Sequence, residues 1–179
     1  MHPINATLRR AEEADGRLLL DLARTTYVEG FLADLRPADA ARQTAGRFAQ
    51  ARILEELGDP AVLTLLVEDS GVAIGYAQLW LDSVKPAMVG GRAAELRRIY
   101  VLREYFGTGS ADALMEAIGR AAETHSVDTV WLGVSADNAR AIRFYSKWGF
   151  QDIGSHACLS DGSLDRVMAA HPPLRRLAA

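Results

Sequence analysis

Three consecutive segments in the middle of the chain constrain the fold more than any other part of the sequence. Residues 95–102 are rich in strand formers, residues 109–124 carry apolar side chains at helical spacing, and residues 127–134 form another apolar run. A strand followed by a helix and a second strand predicts a parallel pair joined by a right-handed crossover. The central sheet is therefore expected to contain at least one parallel pair.

The remaining segments predict antiparallel partners for this central unit. Residues 62–67 and 72–81 flank the turn sequence Glu-Asp-Ser-Gly, which is typical of a β-hairpin. Because hairpins flank the parallel pair, the sequence predicts an α/β (α+β) domain with a mixed sheet. The other predicted strands are residues 6–10, 150–159 and 164–168, the last two around a turn at 160–162, and the other predicted helices are residues 15–27, 37–57 and 137–147.

The second of these helices is predicted as one continuous segment. Pro37 suits the first position of a helix, and Gly58-Asp59-Pro60 is a stop signal. We therefore expect a single helix from Pro37 to Leu57. The apolar residues that share one face of it are Ala41, Ala45, Phe48, Ala49, Ile53 and Leu57.

Composition limits the classes of function. The chain has 179 residues, of which 49% are hydrophobic and 24% charged, as in globular proteins. The net charge of −3 argues against a nucleic-acid-binding surface, and no segment approaches the roughly 20 apolar residues of a membrane span. The single cysteine, Cys158, cannot form an internal disulfide, and no Cys/His cluster indicates a metal. We expect a cytoplasmic protein with no metal and with no nucleic-acid or membrane partner.

The turn between the first central strand and its helix has the sequence Phe106-Gly107-Thr108-Gly109-Ser110-Ala111. The first N–H groups of a helix have no partner within it and carry partial positive charge, so they bind anions. Glycines let the backbone bend and let a phosphate approach closely. The segment is not a dinucleotide-binding fingerprint, because Asp112 occupies the third glycine position, and it is not a Walker A loop. Taken alone, it fits a pyrophosphate-binding turn and a simple strand-to-helix turn equally well.

A second motif lies downstream of this turn. Trp131-Leu132-Gly133-Val134 precedes Asn138-Ala139-Arg140-Ala141-Ile142-Arg143-Phe144-Tyr145-Ser146-Lys147-Trp148-Gly149-Phe150. Together the two motifs resemble the GNAT (Gcn5-related) N-acetyltransferase superfamily, in which Asn-x-x-Ala, an aromatic-Tyr pair and Gly-Phe follow a phosphate loop. The resemblance extends from about Thr7 to Met168. It implies a single acetyltransferase domain over residues 5–170, followed by a C-terminal tail at 171–179.

The resemblance also implies a GNAT fold, which is a mixed, mostly antiparallel sheet of six to seven strands with a central splayed parallel pair and about four helices. It implies acetyl-CoA as cosubstrate and no metal. Main-chain groups of Tyr100, Val101 and Leu102 would bind the pantetheine arm. The other cofactor-binding residues implied by position are Phe106, Gly107, Thr108, Gly109, Ser110, Ala111, Asn138, Arg140 and Tyr145.

Two positions depart from the family pattern. Phe106 stands where the family usually has Arg or Gln, and Ser110 stands where an apolar residue usually packs under the loop. Backbone donors do not depend on these side chains, so we expect the main chain to hold the phosphates. The missing positive charge is expected from Arg103, Arg140, Arg143 or Lys147.

Acetyl transfer to an amine requires a base for the amine and a proton donor for the departing thiolate. By position in the family, Glu95 is the candidate base, and a surface charge at a strand end is the alternative interpretation. Tyr145 is the candidate acid, and a core aromatic residue is the alternative. The residues expected to form an aromatic and acidic wall for a cationic acceptor are Tyr27, Glu29, Phe31 and Tyr76, the last of which fits sheet packing equally well.

A narrower resemblance concerns the acceptor. The strand Glu95-Leu96-Arg97-Arg98-Ile99-Tyr100-Val101, the segment Phe150-x-x-Gly154-x-His156 and the later Asp165-x-x-Met168 resemble the PaiA-like polyamine acetyltransferases. This implies a small-molecule, polyamine-like amine as acceptor. We further expect the enzyme to be a monomer or homodimer. The alternatives are a protein N-terminal or lysine acetyltransferase, and a non-catalytic acyl-CoA-binding sensor.

Overall fold

The computed structural model of the protein describes residues 5–32, 36–157 and 164–177. Within these ranges the chain forms five α-helices and seven β-strands. Cys158 and the predicted turn at 160–162 lie outside the described residues. In chain order the elements are β1 (Ala6–Arg10), α1 (Gly16–Phe31), α2 (Pro37–Arg47), α3 (Gln50–Gly58), β2 (Val62–Asp69), β3 (Val72–Trp80), β4 (Ala93–Val101), α4 (Ser110–Thr124), β5 (Thr129–Ser135), α5 (Ala139–Lys147), β6 (Gln151–Ala157) and β7 (Leu164–Ala170).

The seven strands form one mixed sheet in the order β1-β2-β3-β4-β5-β7-β6. Strands β4 and β5 are parallel, with a register from Ala93↔Thr129 to Glu95↔Trp131, whereas β1–β2, β5–β7 and β6–β7 are antiparallel. The parallel register stops at Glu95 and Trp131 although both strands continue. The predicted mixed sheet with a central parallel pair is confirmed.

The prediction of a single helix from Pro37 to Leu57 is wrong, because the segment forms two helices. Phe48 (φ −122°, ψ 84°) leaves the helical conformation between α2 and α3. Its side chain is 1% exposed, and its carbonyl oxygen accepts a hydrogen bond of 2.9 Å from Arg24. The break therefore buries the ring and still satisfies the freed carbonyl, and it raises the number of described helices from about four to five. No helix in the described ranges has both the length and the apolar character needed to cross a membrane.

The chain forms two compact units, each with its own buried cluster. The first consists of the described parts of Met1–Gln78 and Arg98–Leu114, and the second of those of Leu79–Arg97 and Met115–Ala179. In the second unit, the described part of the predicted tail is packed: Leu174 is buried, and the Leu177 amide donates to the Lys147 oxygen at 2.7 Å. The main buried residues of the first unit are Leu19, Leu20, Phe48, Ile53, Leu66 and Tyr76, and the second unit contains a cluster of Val89, Trp131 and Val167.

A buried ion pair ties α3 to the sheet within the first unit. Arg98 on β4 binds both carboxylate oxygens of Glu56 on α3, with a distance of 3.2 Å from Nη2 to Oε1. The side chains of Arg98 and Glu56 are 10% and 4% exposed. Gln78 on β3 accepts from Arg98 at 2.5 Å and donates to Thr64 on β2 at 3.1 Å. The network therefore links α3, β2, β3 and β4 through groups that water hardly reaches.

Replacement of one partner of this buried ion pair should lower the free energy of unfolding. In Glu56→Gln the charge of Arg98 stays buried without a counter-ion, so we expect the free energy of unfolding to fall by about 3 kcal/mol. Urea denaturation followed by circular dichroism measures this change. The matched control is Glu116→Gln, because Glu116 is mostly exposed and lies 4.0 Å from Arg120. Equal losses in the two variants would contradict the importance of the buried pair.

Candidate active site

The two-glycine turn leads from β4 towards α4 and is open on its surface. Residues 103–105 form a short 3-10 turn, and α4 begins at Ser110. Gly107 and Gly109 have φ angles of 77° and 91°, which glycine adopts without strain. A Cβ built on either glycine would meet no atom within 4 Å. Both glycines therefore adopt a conformation that other residues rarely adopt, and the space above them is free.

The N-terminus of α4 leaves main-chain donors unused by the helix. Its first helical hydrogen bond runs from the Ala113 amide to the Gly109 oxygen at 2.9 Å, so the amides of Ser110 and Ala111 precede it. The buried Ser110 hydroxyl lies 2.8 Å from the Thr108 hydroxyl, which donates to the Tyr105 oxygen at 2.8 Å. Ser110 is thus satisfied inside the turn although it replaces an apolar residue.

The main chain at the end of β4 is held by β3. The Leu102 amide donates to the Ile74 oxygen at 2.9 Å. Because main-chain groups of successive strand residues point to opposite sides, those of Val101 point away from β3. A Cβ on Gly75 would lie 2.7 Å from the Tyr100 oxygen, so the two strands approach closely here. Of the three residues predicted to bind pantetheine, Val101 therefore has its main chain directed away from the neighbouring strand.

In the second unit, α5 holds Asn138 and Tyr145. Asn138 caps the helix, since its Oδ1 accepts from the Ala141 amide at 3.0 Å. The Tyr145 ring is half-buried and lies 5.7 Å from the Phe144 ring and 5.8 Å from the Phe150 ring. Asn138 thus has a structural role beside its predicted cofactor contact. Tyr145 combines aromatic packing with partial exposure.

Glu29 and Arg103 were predicted for different roles, and the structure joins them. The Glu29 carboxylate accepts from the Arg103 amide at 2.8 Å, and the Arg103 side chain donates to the Glu29 main-chain oxygen at 2.7 Å. Glu29 therefore anchors the chain that leads into the two-glycine turn. The other basic residues considered for the phosphates, Arg140, Arg143 and Lys147, are exposed on α5.

The aromatic residues predicted for the acceptor wall differ in exposure. Tyr27 is half-buried, with the Arg47 guanidinium 4.8 Å from its ring centre, and Phe31 is the last residue of α1. Tyr76 is fully buried, and its hydroxyl has no hydrogen-bond partner among the described residues. Burial raises the pKa of Tyr76 and of Tyr100, so both remain phenols at neutral pH. Tyr76 lies in the core of the first unit, and the charge beside Tyr27 is positive.

The candidate base, Glu95, lies in the second unit within a polar group that the sequence did not reveal. Its side chain is 15% exposed and forms a short hydrogen bond with the Ser83 hydroxyl. Arg97 Nη1 lies 3.5 Å from the same carboxylate oxygen, and its guanidinium stacks on the Trp80 ring at 4.2 Å. These contacts hold the carboxylate in place. No local signal marked Ser83, because it reaches Glu95 from the loop before β4.

A mixed sheet with one central parallel pair, joined through a two-glycine turn to the N-terminus of α4, agrees with the fold of acyl-CoA-dependent transferases. The sequence confirms this class, because residues 20–150 match the Acetyltransferase (GNAT) family. An uncharacterized N-acetyltransferase of Mycobacterium tuberculosis is 36% identical over 119 residues, which cover 66% of this chain and 72% of that protein. The chain belongs to the GNAT family of acetyl-CoA-dependent N-acetyltransferases.

Solved structures share the same fold. The PaiA N-acetyltransferase of Thermoplasma acidophilum, in complex with coenzyme A, superposes with a TM-score of 0.73 at 19% identity, covering 94% of this chain and 99% of that one. The ribosomal-protein-S18-alanine N-acetyltransferase of Escherichia coli superposes with a TM-score of 0.67 at 20% identity, covering 97% and 96%. At identities this low, the likeness shows a common fold only. The two enzymes have different names, yet their TM-scores to this chain are similar.

The close approach of β3 to β4 gives a test of how the site is positioned. Gly75→Ala places a Cβ 2.7 Å from the Tyr100 oxygen, so one strand must shift. We expect a loss of about 2 kcal/mol in the free energy of unfolding, measured by urea denaturation. Gly90→Ala is the matched control, since a Cβ there meets nothing within 4 Å. A stable Gly75→Ala variant would show that the packing is looser than described.

Proposed function

We propose that the protein transfers the acetyl group of acetyl-CoA to the primary amine of a small, polyamine-like molecule by direct attack. The observation that carries the proposal is the open turn at Gly107 and Gly109, which leads into the N-terminus of α4. Unused amides and the helix dipole favour a pyrophosphate at such a position. Phe106 brings no charge, so main-chain donors carry the binding, and exposed basic residues of α5 are proposed as further contacts.

The pantetheine arm is proposed to bind the end of β4. The outward-directed main chain of Val101 supports this assignment, because pantetheine carries amide groups that pair with a free strand edge. The main chain of Leu102 is already engaged with Ile74. Val101 is therefore the main binding residue that we propose among the three predicted from the sequence.

The chemistry is proposed to use Glu95 and Tyr145. Glu95 takes a proton from the ammonium group of the acceptor, and the freed nitrogen lone pair attacks the thioester carbonyl carbon. When the C–S bond breaks, the Tyr145 hydroxyl gives its proton to the sulfur, and the second proton lost from the attacking nitrogen restores the Tyr145 hydroxyl. The products are an N-acetylated amine and the free thiol of CoA, and Glu95 holds the one net proton released. Ser83 and Arg97 support the base role, because they fix the Glu95 carboxylate in one orientation.

The polyamine-like acceptor is proposed from the resemblance of residues 95–101 and 150–156 to the PaiA-like enzymes. Acetylation of a protein N-terminus or lysine is the second candidate. It is favoured by the similar fold of the E. coli ribosomal-protein-S18-alanine N-acetyltransferase and by the positive charge of Arg47 beside Tyr27, which does not suit a polycation.

The cofactor part of the proposal is tested by thermal unfolding. Acetyl-CoA at one hundred times its Kd should add about 2.7 kcal/mol to the stability of the protein and raise its Tm. Gly109→Ala should reduce this shift, because alanine disfavours the left-handed conformation by about 1 kcal/mol and distorts the turn. The matched control is Gly71→Ala in the β2–β3 turn, where φ is 83° and no atom lies within 4 Å of the added Cβ. Equal acetyl-CoA shifts in both variants would place the cofactor elsewhere.

Turnover tests the acid and the base. Tyr145→Phe and Glu95→Gln should each lower kcat by about a hundredfold and leave the acetyl-CoA shift unchanged, because each removes one proton transfer. The assay is thiol release from acetyl-CoA with spermidine, spermine, lysine and a short peptide. Glu123→Gln, at an exposed position of α4, is the control for the loss of one carboxylate.

The acceptor screen separates the candidates. Acetylation of the peptide alone would support the protein acetyltransferase, and an acetyl-CoA shift with no turnover would support the sensor. An unchanged kcat in Tyr145→Phe would remove this residue as the acid.

A further inference from the structure

A gap opens on one face of the sheet in the second unit, in the middle of β5. Gly133 is exposed, whereas its neighbours Leu132 and Val134 are buried. A Cβ built on Gly133 would lie 3.6 Å from the Asp165 Oδ2 atom and 3.6 Å from the His156 Nε2 atom. The missing side chain therefore leaves a solvent-accessible space that is bordered by a carboxylate and an imidazole.

Trp131 forms another wall of this gap. It lies two residues before Gly133 and so on the same face of β5, and its ring contacts the His156 ring edge-on at 6.3 Å. The residue is 3% exposed, yet its indole N–H has no hydrogen-bond partner among the described residues. This N–H donor cannot bond to a cationic group, so Trp131 contributes only an aromatic wall to the gap.

The candidate base borders the same face. Glu95 is the register partner of Trp131, and paired residues of neighbouring strands direct their side chains to one face. Ala93, two residues before Glu95, packs against the Trp131 cluster, in agreement with this orientation. Arg97 follows on the same face, but its guanidinium is stacked on Trp80. A ligand in the gap can therefore meet the Glu95 carboxylate at one end.

Asp165 lies at the other end of the gap, and its carboxylate has no counter-ion among the described residues. The side chain is half-buried, and no described residue forms a hydrogen bond or ion pair with its carboxylate. A carboxylate that is partly removed from water is unfavourable without a cation or hydrogen-bond donor beside it. The gap therefore offers a place for a positively charged group next to Asp165.

The separation of the two carboxylates fits a linear diamine. Strand β7 is the second neighbour of β4 in the sheet, so the two strands lie about 10 Å apart. Trp131, which pairs with Glu95, also pairs with Ala169 on β7, and Asp165 lies four residues from Ala169. These four residues correspond to about 13 Å along the strand. Allowing for the lengths of the side chains, roughly 10 to 14 Å remains between the carboxylates. A diamine with several carbons between its nitrogens spans this distance when each nitrogen forms a hydrogen bond of about 2.8 Å.

We infer that Asp165, together with His156, binds the second, non-reacting ammonium group of a linear diamine in the gap beside Trp131, and that the first nitrogen of this diamine is deprotonated by Glu95. Asp165 is then a specificity-determining residue that selects diamines over monoamines. This inference rests on the proposed acetyltransferase function and specifies its acceptor.

The test compares three amines of equal chain length that differ only at the far end. Thiol release from acetyl-CoA is measured with putrescine, butylamine and γ-aminobutyrate, whose far ends are a cation, a methyl group and an anion. We expect kcat/KM to be highest for putrescine. Asp165→Asn should lower kcat/KM for putrescine about tenfold and leave that for butylamine unchanged, because only the charge-assisted bond is lost.

Two further variants sharpen the test. Asp165→Glu keeps the charge but extends it by one methylene, so it should retain the preference for diamines and shift it from putrescine to diaminopropane. Asp152→Asn removes the same charge from a carboxylate that pairs with Arg166 at 3.0 Å, and it should change neither rate. Rescue by Asp165→Glu distinguishes a binding role from damage to the fold.

Three results would overturn the inference. The first is an equal loss for butylamine and putrescine in Asp165→Asn, and the second is a wild-type preference for γ-aminobutyrate. Either would leave the acetyltransferase function standing, since thiol release still occurs. If no amine or peptide supports thiol release from acetyl-CoA, the proposed function itself fails and the inference fails with it.

Discussion

The short parallel pairing of β4 with β5 is the constraint on which the described site depends. Only the residues from Ala93 to Glu95 and from Thr129 to Trp131 form this register, although both strands continue beyond it. The pairing sets Glu95 directly beside Trp131. The main chain of Val101, at the end of β4, points away from β3, and this direction underlies its proposed role.

The carboxylates considered above fall into two groups. In one group, contacts within the fold already use the charge and the hydrogen-bonding capacity of the carboxylate, and in the other group part of that capacity is left. Glu56 is buried and neutralised by Arg98, and Glu29 anchors the main chain at Arg103. Both therefore serve the structure. Glu95 is held by a hydroxyl and a guanidinium while its side chain keeps some exposure, and Asp165 has no described partner. Because a carboxylate with unused hydrogen-bonding capacity can accept hydrogen bonds from a bound cation, these two are the ones suited to act on a ligand.

Much of the fold could be predicted because it follows from local patterns. The strand-helix-strand order and the turn at Gly107 and Gly109 required only periodicity and glycine placement. The break at Phe48 was missed, since the apolar spacing continues through it and only the buried ring and the bond from Arg24 explain it. The role of Asp165 was missed for a similar reason, because its significance depends on a glycine in another strand. The single domain over residues 5–170 and the roles of the site residues stay predictions.

The sequence by itself determined the family, the order of the elements and the position of the two-glycine turn that we propose as the cosubstrate site. All three depend on residues that are close together along the chain, and the spacing of such residues directly indicates helix, strand and turn. Only the tertiary structure decided which charges are already paired and which face of the sheet is open. That difference is physical: a carboxylate has the same sequence letter whether Arg98 neutralises it or the gap at Gly133 leaves it unmatched, and only packing distinguishes the two.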